Sequence, residues 1–176
     1  MVTRVEEVIV RRAFDPSPPE PELPPGRRSE GVRVGLLGGF RVAVGPRVVA
    51  DRSWRLRKAA ALVKLLALEP AHRLHKEQAM DRLWPRLGRR AAANNLHRTL
   101  YSARQTLEPR VPAADSRCLR LRAGQLELCP GGSLWVDVEV FEETAAKARR
   151  LRDPAAYRAA VDLYAGELLP TDRYEA

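Results

Sequence analysis

Cysteine, aromatic side chains and long apolar runs are all scarce in this sequence. The chain of 176 residues has two cysteines, and aromatic residues make up 6% of it. Two cysteines suit a reducing compartment, in which thiols stay free. No apolar run approaches the roughly 18 residues that a membrane helix needs, and the first residues include acids and too short an apolar core for a secretory signal. These absences predict a cytoplasmic protein that makes no use of a membrane.

The residue patterns of catalytic, cofactor and metal sites are also missing. There is no Ser-His-Asp set, no paired-carboxylate arrangement and no P-loop. The stretch GLLGGF at residues 35–40 lacks the spacing of a dinucleotide fingerprint. A zinc site needs four ligands in compact spacing, whereas the three histidines and two cysteines belong to different predicted elements. We therefore expect no enzyme, no cofactor and no metal.

Acidic residues are absent from one long stretch. Between Arg82 and Leu107 the chain carries six arginines and no Asp or Glu. The net charge of +9 is also uneven, with −1 in residues 1–31, +13 in residues 32–130 and −3 in residues 131–176. A basic region of this kind attracts polyanions and speeds their encounter. The alternative interpretation is a basic surface that only aids solubility.

Composition divides the chain into three segments. Residues 1–31 contain six prolines among charged residues, which predicts a disordered leader. Residues 32–130 predict an α+β domain, and residues 131–176 predict an α-helical hairpin. Because a single helical hairpin cannot cover its own apolar surface, we expect this chain to be the truncated front part of a longer protein.

The order of predicted elements in residues 32–130 is that of a winged helix-turn-helix. Short alternating β-branched runs predict N-terminal antiparallel strands. Three helices follow: one that Pro70 ends, one at about 76–84 and one at 91–107. Two short strands around Ala123 and Gly124 then form a hairpin wing, with Arg120 or Arg122 pointing outward. In this fold the third helix enters the DNA groove and the wing touches the neighbouring backbone.

The helical hairpin has two predicted starts, at Asp137 and at Asp153 followed by Pro154. The first helix should run to about Arg150 with Asp137 as its cap. The second should have one apolar face, made of Ala156, Tyr157, Ala160, Val161 and Tyr164.

The third helix separates a core face from a polar face. At 100° per residue, its apolar residues fall in one narrow stripe: Ala92, Leu96, Leu100, Ala103 and Leu107. The opposite side presents Asn94, Arg98, Tyr101 and Gln105, flanked by His97, Ser102 and Arg104. Arg can pair with guanine, Asn and Gln with adenine, and Tyr and Ser can reach phosphates. Carboxylates would repel the DNA backbone, which explains their absence here.

The two cysteines face each other if the hairpin turns at Ala123 and Gly124. Cys118 and Cys129 would then be directly opposite, with β-carbons about 4.5 to 5.5 Å apart, farther than the ~3.8 Å typical of a disulfide. This favours two buried or half-buried thiols. A redox switch in the wing stays open as the alternative.

Seven motifs in order resemble the SARP-type regulators, which join an OmpR/PhoB-like winged helix to a bacterial transcriptional activator domain (BTAD). The motifs are LLGGFRV, RLRKAAALVKLLAL, HRLHKEQAMDRLWP, AAANNLHRTLYSAR, CLRLRAGQLEL, WVDVEVFE and YRAAVDLYAGELLPTDRYE. They cover about residues 32–176, and the C-terminal part would be the start of a TPR-like BTAD. Two departures are Ser102, where many relatives carry a basic residue, and His75, where a Ser or Thr helix cap is common.

This resemblance implies a bacterial transcription factor that binds direct repeats near promoters and recruits RNA polymerase as an activator. It also adds Asn95 to the candidate DNA-contact residues of the helix at Ala91–Leu107. A homodimer on DNA is one option for the working form.

Two other functions compete with sequence-specific DNA binding. A winged helix could serve as a protein–protein interaction module, but an acid-balanced third helix would then be expected. RNA binding would require exposed aromatic residues for stacking, and Tyr101 alone qualifies. The sequence therefore favours DNA.

Overall fold

The computed structural model describes residues 31–174, and the predicted disordered leader lies outside the described residues except for Gly31. This part of the chain is a mixed α and β structure. Its strands are β1 (Val32–Gly35), β2 (Arg41–Val44), β3 (Arg47–Val49), β4 (Arg73–His75), β5 (Leu119–Arg122), β6 (Gln125–Leu128) and β7 (Leu134–Val136). Its helices are α1 (Arg57–Leu68), α2 (Lys76–Leu83), α3 (Arg89–Leu107), α4 (Asp137–Leu151) and α5 (Pro154–Leu163).

The N-terminal sheet has the strand order β3-β2-β1-β7. β1, β2 and β3 pair antiparallel as predicted, with Val32 opposite Val44 and Val42 opposite Val49. β7 was not predicted and runs parallel to β1, with Val34 opposite Val136. The sequence pattern did not indicate β7 because this strand has three residues and its partner β1 lies about 100 residues earlier in the chain. The predicted domain boundary at residue 130 stays a prediction, although β7, which follows it, completes this sheet.

The second sheet contains the predicted β5–β6 hairpin, called the hairpin below. Its two-residue turn has positive φ at both positions, 49° at Ala123 and 82° at Gly124, the conformation of a tight hairpin turn. β4 was not predicted and adds to β6, giving the order β4-β6-β5. This sheet therefore joins the hairpin to the chain segment that leads into α2.

The three central helices bury apolar faces against both sheets. All five residues of the predicted α3 stripe are buried. The apolar pattern of the sequence assigns Leu56 to the buried face of α1 and omits Leu62, but Leu62 is fully buried and Leu56, which precedes the helix, is exposed. His75 caps the N-terminus of α2. The Nδ1 atom of His75 accepts from Glu77 N at 3.4 Å, and Gln78 Oε1 accepts from His75 N at 3.2 Å. A histidine thus replaces the hydroxyl of the common cap in a capping box.

The prediction that Asp137 caps α4 is wrong. Asp137 is instead the first residue of this helix and is 5% exposed. Its carboxylate accepts from Leu36 N at 2.9 Å through both oxygens, from Leu37 N at 2.9 Å and from Val138 N at 2.8 Å. Asp153, in contrast, caps α5 as predicted by accepting from Ala155 N at 3.0 Å. Asp137 therefore joins the start of α4 to the end of β1.

The segment after α5 returns to the N-terminal sheet. Gly38 N donates to Glu167 O at 2.8 Å, and Leu169 N donates to Leu36 O at 2.9 Å. Gly38 has φ 71°, and a β-carbon there would lie 2.5 Å from Ala165 O, so this approach requires glycine. Lys64 Nζ and Asp172 Oδ1 add an ion pair at 2.6 Å between α1 and this segment.

The apolar face predicted for α5 is largely uncovered. Ala160 is buried and Ala156 is half-buried, but Tyr157, Tyr164 and Val161 are 45%, 51% and 69% exposed. These three side chains of the predicted apolar face are therefore only partly covered by the described residues.

Candidate nucleic-acid interface

The outer face of α3 is open to solvent. Asn94, His97 and Arg98 are exposed, and Tyr101 is 60% exposed. We call these four residues the groove face. They share one side of α3 because the helix turns about 100° per residue, and the apolar stripe on the opposite side packs into the core. No carboxylate lies on α3, whose residues run from Arg89 to Leu107.

The remaining predicted residues of α3 lie at the margins of the groove face. Asn95, Ser102 and Gln105 are half-buried. Arg104 is half-buried as well, and its Nε donates to Leu119 O at 2.9 Å. Burial lowers the pKa of Arg104 below its usual value, with Glu108 acting in the opposite sense. Its contact with DNA stays a prediction, but within the chain this side chain attaches α3 to the hairpin.

The two predicted hairpin arginines differ in their surroundings. Arg120 Nε lies 3.2 Å from Glu127 Oε2, and Glu127 also pairs with Arg73 Nε at 3.1 Å. Arg122 is exposed next to the turn and has no ion-pair partner within residues 31–174. Of the two, Arg122 is therefore the one whose charge is free to attract an anion.

Glu108, directly after α3, holds the base of the hairpin. Its carboxylate accepts from Ser116 Oγ at 2.5 Å, from Cys118 N at 3.0 Å and from Arg117 N at 3.2 Å. Burial alone would raise the pKa of Glu108, but these hydrogen bonds outweigh it and hold the pKa below its ordinary value of 4.5. The hairpin is thus attached to α3 by both Arg104 and Glu108.

Glu108→Gln is expected to lower the free energy of unfolding by about 1 kcal/mol at pH 7, the range for a partly exposed charged hydrogen bond. Because the folded-state pKa is lowered, the carboxylate stabilises the fold above its ordinary value of 4.5 and loses this effect as the pH falls through the folded-state pKa. Urea unfolding of both proteins at neutral and acidic pH measures the difference. A gap that stays constant with pH would contradict this role.

The two cysteines lie opposite each other at the base of the hairpin, as predicted. Cys129 N donates to Cys118 O at 2.8 Å, and both side chains are buried free thiols. Hydrogen bonding to Cys129, together with burial, raises the pKa of the Cys118 thiol above its ordinary value. Raised pKa and burial both oppose thiolate chemistry at this position.

A basic depression adjoins the groove face and was not predicted. It has a volume of about 430 Å³ and lies between α2, the start of α3 and β5. Its basic lining residues are Lys76, Arg89, Arg90 and His97, and its one carboxylate, Glu77, is paired with Arg89. The acid-free stretch that begins at Arg82 was the sequence signal that could have indicated it.

A comparison with known proteins finds a similar fold among solved structures. No protein-family model matches the sequence, and no curated protein matches it. Among solved structures, the fold is similar to EmbR of Mycobacterium tuberculosis, determined in complex with a low-affinity phosphopeptide, with a TM-score of 0.59 and 20% sequence identity. The similarity covers 81% of this chain but 38% of the EmbR chain. It shows that this chain has a fold similar to that part of EmbR.

Within the described residues, no helix combines the length and the apolar character needed to cross a bilayer.

Proposed function

We propose that residues 32–130 form a winged helix-turn-helix that binds double-stranded DNA sequence-specifically. In this proposal α3 enters the major groove and the hairpin is the wing. The observation that carries it is the groove face: four polar or basic side chains, exposed on a helix without carboxylates. A helix of this kind matches both the shape and the charge of the major groove.

The groove face carries the chemistry needed to read bases. Arg98 can donate two hydrogen bonds to guanine O6 and N7, and Asn94 can pair with adenine N6 and N7. The Tyr101 hydroxyl and the half-buried Ser102 are suited to phosphate oxygens. Asn95, His97, Arg104 and Gln105 lie beside these residues and complete the proposed contact set on α3.

Backbone contacts would come from the hairpin and from the basic depression. Arg122 is free to meet a phosphate, while Arg120 shares its charge with Glu127. Lys76 and Arg90 place further positive charge next to His97. Contacts of this kind give affinity and register without base preference.

The resemblance of the sequence motifs to SARP-type regulators, together with the EmbR-like fold, supports a role in transcription regulation in a bacterial cytoplasm. We propose binding at direct repeats near promoters, as a homodimer or as successive monomers, and activation through RNA polymerase. Residues 131–176 would begin a TPR-like BTAD that continues in a longer protein. No catalytic role and no cofactor are proposed.

Selection of duplexes from a random pool tests this function. The full chain is expected to enrich one half-site, repeated in direct orientation, and to bind the winner with a salt slope of about −4 to −5 for 4 to 6 phosphate contacts. A variant with Asn94→Ala and Arg98→Ala is the control and should enrich no motif. Failure of the unaltered chain to enrich any sequence would overturn sequence-specific binding.

A further inference from the structure

We propose that Arg52, Arg55 and Lys58, called the flank patch below, form a second phosphate-contact surface on the side of α3 opposite the hairpin. The inference rests on the proposed DNA binding and extends it. α3 would then be held in the groove by backbone contacts on both of its sides.

The position of the flank patch follows from the contacts of α3. The Thr106 hydroxyl donates to Ser53 O at 3.2 Å, and Arg47 Nη2 donates to Thr106 O at 3.2 Å. At about 100° per residue, Thr106 lies about 80° to one side of Arg98. The 3-10 turn Asp51–Ser53 therefore packs against that side of α3.

The hairpin occupies the other side. Arg104, whose Nε bonds to Leu119 O, lies about 120° from Arg98 in the opposite direction. The groove face is thus bounded by the hairpin on one side and by the turn that carries the flank patch on the other.

The charges of the flank patch are available for a partner. Arg52, Arg55 and Lys58 are exposed, and none has an ion-pair partner within the part of the chain that the structure describes. Other basic residues nearby are occupied, because Lys64 pairs with Asp172 and Arg47 bonds to carbonyls of α3. Asp51 is the one carboxylate between residues 32 and 68. Three free cations against one acid leave a local positive excess.

Backbone hydrogen bonds order the segment that carries the flank patch. Trp54 N donates to Asp51 O at 3.0 Å, Arg55 N to Ser53 O at 3.0 Å and Ala59 N to Leu56 O at 2.9 Å. The 3-10 turn therefore runs almost directly into α1, and the Trp54 ring packs against Phe40 with centroids 5.4 Å apart. The patch is a folded surface beside the groove face, which favours phosphates of the same duplex over an acidic protein.

The test removes three charges at the patch and, in a matched control, three charges elsewhere. One variant carries Arg52→Ala, Arg55→Ala and Lys58→Ala. The control carries Lys147→Ala, Arg149→Ala and Arg150→Ala, all exposed on α4. Binding of a random-sequence fluorescent duplex is measured between about 50 and 200 mM salt. The patch variant should bind more weakly, and the magnitude of its salt slope should fall by about 2 to 3, whereas the control should change by less than about 1.

A further variant separates charge from fold. Arg52→Lys with Arg55→Lys keeps both charges and should keep the slope of the unaltered chain. Equal slopes for the patch variant and the control, with normal binding by the unaltered chain, would overturn the inference and leave the proposed function standing. Absence of duplex binding by the unaltered chain would overturn both the inference and the proposed function.

Discussion

Arg98→Ala is expected to reduce discrimination between the preferred duplex and one with a changed base pair by about 10- to 100-fold. A bidentate arginine–guanine pair contributes about 1–3 kcal/mol of discrimination. Arg98 is an exposed arginine of the groove face, and within the described residues it has no ion-pair partner. The core face of α3 should be unaffected because Arg98 lies outside it.

Competition binding with matched and altered duplexes measures this effect. Arg149→Ala removes the same charge from an exposed position on α4 and should leave discrimination unchanged. Arg122→Ala should weaken binding to all sequences alike, since a phosphate contact carries no base information. If Arg98→Ala weakened matched and altered duplexes equally, Arg98 would be a backbone contact and its role in base readout would be wrong.

Asp137→Ala is expected to lower the free energy of unfolding by about 3 kcal/mol, because it leaves the buried N–H groups of Leu36 and Leu37 without an acceptor. Each unpaired buried donor costs about 1–3 kcal/mol. Asp137→Asn keeps one acceptor oxygen and places an amide donor opposite a donor, so its effect should be intermediate. Urea unfolding with linear extrapolation gives all three values.

Asp153→Ala provides the matched comparison. It also removes a carboxylate from the start of a helix, but this residue is exposed and accepts one hydrogen bond. Loss of such a cap costs about 1 kcal/mol. An Asp137→Ala variant no less stable than Asp153→Ala would show that the bonds to the end of β1 are not what fastens α4 to the sheet.

The sequence predicted α3 and its two faces because both depend on a local period. Nineteen residues from Arg89 to Leu107 repeat the stripe several times, so the buried and exposed sides could be assigned before any partner was known. The hairpin was predicted for a similar reason, since two turn residues fix the register of adjacent strands. The same helical period gives the positions of Asn94, His97, Arg98 and Tyr101 on the groove face, although their contact with DNA stays a prediction.

Local pattern could not reveal elements whose stability comes from distant partners. β4 and β7 have three residues each, too few for a period, and their partners lie far away along the chain. The same limit explains why Asp137 was interpreted as a cap and why the sequence could not show which residues of the apolar face of α5 are covered. In both cases the environment of the side chain was decided by the packing of other segments.

The amino-acid sequence by itself determined the order of the five helices and of strands β1, β2, β3, β5 and β6, the acid-free surface of α3 and the basic character of residues 32–130. These properties depend on neighbours within a few turns of the chain. Tertiary structure alone decided that Arg104 and Glu108 attach the hairpin to α3, that Arg120 is paired while Arg122 is free, and that the 3-10 turn before α1 packs against α3. Such relations depend on which segments meet in space, and hydrogen bonds between segments far apart in sequence leave no periodic signal.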